Sequence, residues 1–350
     1  MQERYAMEDR STSATTGISV RGRWFDVPAY ETNGQVIVTT GKWIKIASLK
    51  DEEWLENELI NPNSCTEKMK GRSEFPKADL LCFSQKVPNT APRYKYQMER
   101  TSVAAAHVPT YNEWWKKLPQ VTRKNVRRAY KRGVVVKARS FEDDVVEGIQ
   151  SVQNETPIRQ GRAYPHYGKS FDEVKHDHGA FLDRSEFICA YYQDEIIGVL
   201  KLVYRGDVAS ILQINSKEAH YDKRPSNALI AKAAELCDAK GICYLTYGLF
   251  NYGNKGDCQL REFKVRNGFE EMLVPTYYVP LSKWGKVFVK ARLYRGLLGI
   301  LPHWAIQLSL KVRKRWYDLR VPRGRCSSMP ERSSSDRQTG CSNPPAGSTS

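Results

Sequence analysis

Between residues 134 and 279 the alternation of apolar and polar positions changes period repeatedly, and each change marks an element. Residues 187–192 (FICAYY) form an apolar, aromatic run of strand length that stops at Gln193, Asp194 and Glu195, which suit a short reversal. Residues 196–204 (IIGVLKLVY) predict a second strand. Arg205, Gly206 and Asp207 then make a turn in which glycine supplies positive φ, and residues 208–214 follow as a third strand. The three form an antiparallel meander. Over 225–240 the period becomes helical, with Leu229, Ile230, Ala233, Leu236 and Cys237 on one side. Pro225 suits the first turn of that helix and Gly241 the position past its end. A strand over 242–247, a glycine-studded loop, a helix over 257–267 closed by Gly268 and a strand over 269–279 complete the run. Upstream, 134–137 reads as a β-branched strand. Residues 141–153 read as a helix with Val145, Val146, Ile149 and Val152 inward, and 171–182 as a second helix.

The flanking regions are patterned differently. Residues 1–17 are polar and expected to be loose. From 18 to 110 the chain reads as β-rich: strands at 36–39 and 43–47 flank the hairpin signal Thr40-Gly41-Lys42, and 78–84 is another strand. Tyr94, Tyr96 and Met98 alternate with Lys95, Gln97 and Glu99 as in a half-buried strand. Ser48, with Asp51 three residues on, predicts a capped helix running to Asn61-Pro62. A helix over 122–132 has a narrow apolar stripe (Val126, Ala129, Tyr130) and is otherwise basic. Residues 283–325 interleave aromatic and basic side chains, and the Ser-, Pro- and Gly-rich stretch 326–350 is expected to be disordered.

Composition narrows the class. A chain of 350 residues with 41% apolar content is expected to fold as about two globular domains. The start lacks the apolar core of a secretory signal, and no apolar run is long enough to span a bilayer. The expectation is a cytoplasmic protein, peripheral on the inner membrane surface if residues 283–325 lie on lipid and not against the fold. The eight cysteines are scattered, which favours buried thiols over a disulfide or zinc framework. His176 and His178, either side of Asp177, are expected on an exposed helix face, with no metal. The net charge of +16 is concentrated in two stretches, 116–139 with ten Lys or Arg and no acid, and 283–325 with twelve against one Asp. Partners are to be sought there.

The order β-α-α-β-β-β-α-β-α-β, together with LREFKVRNGF at 260–269 and RPSNALIAKAAELCDAKG at 224–241, resembles the GNAT superfamily of acyltransferases, and within it the Fem-type (FemAB-like) aminoacyl transferase branch. The resemblance covers 111–282. It implies an α/β (α+β) fold, a GNAT-like mixed sheet flanked by helices, beside a smaller β-rich N-terminal domain at 18–110. That domain is either a degenerate GNAT-like half or an unrelated cap.

The activity so implied is N-acyl transfer to an amine by direct attack, and no Ser-His-Asp or Cys-His arrangement is evident that would make a covalent intermediate. The donor would rest at the start of the central helix, implicating Ile214, Asn215, Arg224, Ser226, Asn227 and Ala228, because N–H groups there favour anions. Asn227 and Leu229 stand where the family has small residues, a departure that weakens acetyl-CoA specifically and suits another acyl-CoA or aminoacyl-tRNA as well. Lys264 matches the lysine of the Fem-type Phe-Lys pair, while Tyr247 and Tyr252 are candidate proton donors. Glu155, Arg159 and Arg162 fall on the connection that borders the acceptor cleft in this fold. For each of these residues a purely structural role competes. The co-substrate is then acyl-CoA, with aminoacyl-tRNA as the other donor. The acceptor partner is an amine; residues 283–325 either meet an anionic membrane surface or pack back against the enzyme, and 116–139 either meets tRNA or is a solvated basic face. The alternative is an inactive scaffold that binds nucleic acid through 116–139, with steep salt dependence.

Overall fold

The computed structural model describes residues 13–20, 23–50, 58–71, 77–159, 162–251 and 259–295. Of its two compact units, residues 1–294 and 295–350, the first holds nearly all of these. In its N-terminal part β1 (Ser13–Val20), β2 (Arg23–Thr32), β3 (Gln35–Thr40) and β4 (Ile46–Leu49) are followed by α1 (Pro62–Gly71), β5 (Leu80–Ser84) and β6 (Gln97–His107). Then come α2 (Tyr111–Lys117), α3 (Gln120–Lys131), β7 (Val135–Arg139), α4 (Asp143–Gln153), the short pair β8 (Ile158–Arg159) and β9 (Arg162–Ala163), and α5 (Phe171–His178). The meander is β10 (Ser185–Tyr192), β11 (Glu195–Arg205) and β12 (Val208–Ser216). It leads to α6 (Pro225–Ala239), β13 (Tyr244–Leu249), α7 (Gln259–Arg266), β14 (Glu270–Pro280) and α8 (Lys283–Lys290).

All strands but β8 and β9 form one 12-stranded sheet in the order β1-β2-β3-β4-β5-β14-β6-β13-β12-β11-β10-β7. Strand alternation assigns the two faces of its C-terminal half. Ile188, Ala190, Leu200 and Leu202 join a core with α2, α3 and α6, while their neighbours Phe187, Cys189 and Val199 join a second core with α4 and α5. A third core lies around Ile37, Leu49, Phe83 and Tyr277. Two glycines admit helices closely. A Cβ at Gly148 of α4 would lie 2.3 Å from Ile196, and one at Gly198 of β11 would lie 3.2 Å from Leu229 of α6.

The predicted ten-element order is present over 135–280, with boundaries shifted by a few residues. Four local expectations give way. Residues 13–17 belong to β1, so they are paired with β2. Ser48 lies inside β4, opposite Val38, because its short alternating segment finds partners in β3 and β5 and so does not cap a helix; residues 51–57 lie outside the described residues, and the next described helix is Pro62–Gly71. His178 is only 6% exposed, turned inward beside Gln153. The strand expected over residues 93–99 begins only at Gln97, runs on to His107 and inserts between β13 and β14, which would otherwise be neighbours. Its Ala104, Ala105 and Ala106 are buried and small enough for a central strand covered on both faces. Tyr252 and residues 296–325 lie outside the described residues.

Candidate active site

The sheet opens between β12 and β13. β12 and β13 run parallel and pair only over Val208↔Tyr244, Ala209↔Leu245 and Ser210↔Thr246, and the Ser210 and Thr246 hydroxyls, 2.8 Å apart, close the crotch. Beyond it β12 stays with β11 while β13 stays with β6. Both strands carry a register shift at that point. On β12, Leu212 is the extra residue between Ile211↔Leu202 and Gln213↔Lys201; on β13 the shift falls between Thr246 and Leu249. A bulge bends its strand and takes one residue out of the ladder, so the two together spread the strands into a wedge. No local signal in the sequence marks Leu212 for this role.

α6 begins beside the wedge. Arg224, at φ 59°, reverses the chain into the helix, and its carbonyl accepts from the Asn227 N–H at 3.2 Å. The Ser226 hydroxyl lies 2.9 Å from that of Ser216, which ties the first turn of α6 to the end of β12. Leu229, which stands where a small residue was expected, packs over Gly198 on the sheet side. Asn227 is buried and donates through Nδ2 to Asn267 Oδ1 at 2.9 Å, while Asn267 Nδ2 donates to Phe263 O at 2.7 Å. An amide bridge therefore joins the start of α6 to the end of α7.

Lys264 sits one step further in. It is fully enclosed, and its ammonium donates to Tyr247 O at 2.6 Å and Leu249 O at 2.7 Å, the carbonyls of β13 just past the crotch. The same nitrogen lies 4.4 Å from the centre of the Tyr247 ring. Lys264 thus lies against Tyr247 on the β13 side, while Ser226 and Asn227 stand at the start of α6, tied to the end of β12 through Ser216 and to the end of α7 through Asn267.

Other predicted residues serve elsewhere. Ile214 packs against the α6 core and Ala228 is buried in it, while the Arg224 side chain is exposed. Asn215 faces the opposite side of the sheet, lining a small cavity with Gln153, His178, Lys201 and Gln213. There the Lys201 ammonium donates to His178 O and Ala180 O at 2.6 and 2.5 Å. Burial pushes that lysine down to about 8 and, with the lysine's own charge, His178 down to about 4. The Glu155 carboxylate accepts from the backbone N–H groups of Glu218 and Ala219 at 2.6 and 2.9 Å, and so caps the short helix between β12 and α6. Arg159 donates to Val152 O at 2.6 Å and stacks over Tyr164 at 4.5 Å. These two brace the connection that borders β12. Arg162 is in β9, opposite Arg159.

No family model matches the sequence, and no curated protein matches it. Solved structures do. FemX aligns over 77% of this chain and 88% of its own, with a TM-score of 0.53 at 10% identity. The C-terminal domain of a putative lysylphosphatidylglycerol synthetase from Agrobacterium fabrum aligns over 76% and 88%, with a TM-score of 0.51 at 12% identity. L-PGS from Bacillus licheniformis aligns over 78% and 89%, with a TM-score of 0.50 at 12% identity. The chain shares the fold of FemX and of these domains, a large mixed sheet flanked by helices, which is the GNAT-like fold that its element order predicts.

Proposed function

We propose that the protein is an N-acyltransferase that passes an acyl or aminoacyl group from an activated donor to an amine, without a covalent enzyme intermediate. The observation that carries this reading is the wedge between β12 and β13, with the start of α6 on one wall and the Lys264 ammonium at its root. The amine nitrogen forms a bond to the acyl carbon, the C–S bond of a thioester or the C–O bond of an ester breaks, and the leaving sulfur or oxygen takes up the proton that the amine gives up. Fixing both reactants in one cleft lowers such a barrier by about 7–11 kcal/mol, so no nucleophile is needed.

The roles follow from chemistry. The first turn of α6 presents the Ser226 N–H to a phosphate of the donor, while the Asn227 N–H, held by the Arg224 carbonyl, fixes the turn behind it. Leu229 packs toward Gly198, so its bulk lies on the sheet side and away from that approach. Tyr247 supplies a phenol near the crotch for proton transfer. Lys264 is a positioning residue: it holds the β13 carbonyls and supports negative charge developing beside them.

Two donors fit, acyl-CoA and aminoacyl-tRNA. The exposed cations of α3, Lys124, Arg127, Arg128 and Lys131, favour the second, since they offer phosphate contacts with no acid among them. Purified protein is incubated separately with labelled acetyl-CoA and with aminoacyl-tRNA in the presence of a mixture of amines. Donor consumption that falls about 100-fold in Tyr247→Phe supports the reading. Intact donors in both reactions, with a folded protein, overturn it. Salt-sensitive tRNA binding without turnover identifies an inactive nucleic-acid-binding scaffold instead.

A further inference from the structure

One carboxylate clamps together two stretches that are far apart in the chain. Asp79 accepts from the Lys45 N–H through Oδ2 at 3.0 Å and from the Ser282 hydroxyl through Oδ1 at 2.6 Å. Its backbone carbonyl accepts from the Leu281 N–H at 2.9 Å, and a Cβ on Gly285 would lie 1.9 Å from that oxygen, so α8 is seated directly on Asp79. The turn between β3 and β4 and the first turn of α8 are therefore side by side.

Each brings an exposed indole. Trp43, in the turn, is 93% exposed, and Trp284, in α8, is 52% exposed, with Val287 one helical turn beyond it also open. Lys42, Lys45, Lys77, Lys283, Lys286 and Lys290 are all exposed on the same elements or beside them. Large apolar groups gathered at one exposed place mark an interaction surface.

Strand direction locates this surface. β13 is parallel to β12, and β14 is parallel to β13 because both are antiparallel to β6. All three strands run toward the same edge of the sheet, with β14 reaching beyond the end of β13. β5 is antiparallel to β14, and β4 is parallel to β5, so both begin there. The indoles and lysines thus occupy the end of the sheet toward which the wedge opens.

We propose that this end of the molecule docks on an anionic lipid bilayer, with Trp43 and Trp284 entering the headgroup boundary and the six lysines facing lipid phosphates. Indoles are amphipathic and favour that boundary, and lysine ammonium groups act there as point charges. The α3 helix differs, with three arginines (Arg123, Arg127 and Arg128), the residue whose fork suits nucleic-acid phosphates. Docking itself is independent of the transferase reading. Its consequence, an acceptor amine met at the lipid surface, rests on that reading.

The test uses the full chain and sedimentation with two kinds of vesicle, phosphatidylcholine alone and an equal mixture with phosphatidylglycerol. Binding is expected to the mixed vesicles only, weakened about tenfold or more by Trp43→Ala with Trp284→Ala, and comparably by Lys42→Glu with Lys45→Glu. In single Trp43→Phe and Trp284→Phe variants, quenching of tryptophan emission by brominated lipid should drop. These positions are exposed, so thermal melts confirm that each variant is folded. Unchanged vesicle binding in both double variants overturns the proposal, as does loss of RNA binding from them while vesicle binding persists. Turnover of a water-soluble amine, measured without vesicles, is expected to be unaffected by these variants. Failure of the transferase reading would therefore show as absent turnover beside intact vesicle binding.

Discussion

Lys264 is a cation with no exposed surface, held by two backbone carbonyls and an aromatic face. Removing the charge leaves those carbonyls desolvated without their donor. Lys264→Met is expected to lower unfolding free energy by about 2–4 kcal/mol, measured by urea denaturation. His178 sets a second expectation. Its folded state titrates near 4 against an ordinary 6.5, so between these values the unfolded chain binds more protons. Stability is then full above about 6.5 and declines as pH falls toward 4, by about 3 kcal/mol at most. Lys201 acts at the other end: held near 8 against an ordinary 10.5, it makes stability rise with pH across that window. Thermal melts at pH 4.5 and 7 should differ, and the difference should shrink in His178→Asn. A flat profile in the unmodified protein would contradict the buried placement of this imidazole.

Between elements, the bridge from Asn227 to Asn267 joins the two helices that flank the wedge, and each amide is nine-tenths or more buried. Asn227→Ala and Asn267→Ala should each cost about 1–3 kcal/mol. The double variant should cost less than their sum by about 1 kcal/mol, since either change alone strands its partner. Additive losses would mean that the bridge carries no coupling. The same pair shows how far motif comparison reaches. Asn227 is legible in the sequence as a departure from small residues at the helix start. Its use as a tie to α7 is not, because nothing local connects positions 227 and 267. Lys264 is legible through its place after Phe263, and its enclosure under β13 is not. The bulge at Leu212 leaves no mark in a run that reads as an uninterrupted strand.

At the scale of the molecule, β14 is hydrogen-bonded to β5 on one edge and to β6 on the other, so the N-terminal strands and the helix-flanked half share one ladder. Tyr277 deepens the join: its ring stacks on Phe83 at 5.1 Å, and its hydroxyl donates to Gln85 and accepts from the Arg93 N–H. Residues 13–294 are therefore expected to unfold in one transition, with tryptophan emission and far-ultraviolet dichroism coincident in urea. Two separated midpoints would show that the β-rich part melts independently.

Local chemistry determined the elements themselves. Apolar period, turn glycines and the proline at the start of α6 act within a few residues of one another, so the sequence by itself defined the meander, the central helix and their order, and with them the fold class. Only tertiary structure decided that β6 lies between β13 and β14, that Ser48 extends a strand, that His178 turns inward and that Trp43 and Trp284 share one end of the sheet. Pairing, burial and juxtaposition depend on groups brought together from distant positions, and their energies exist only once the chain has closed around them.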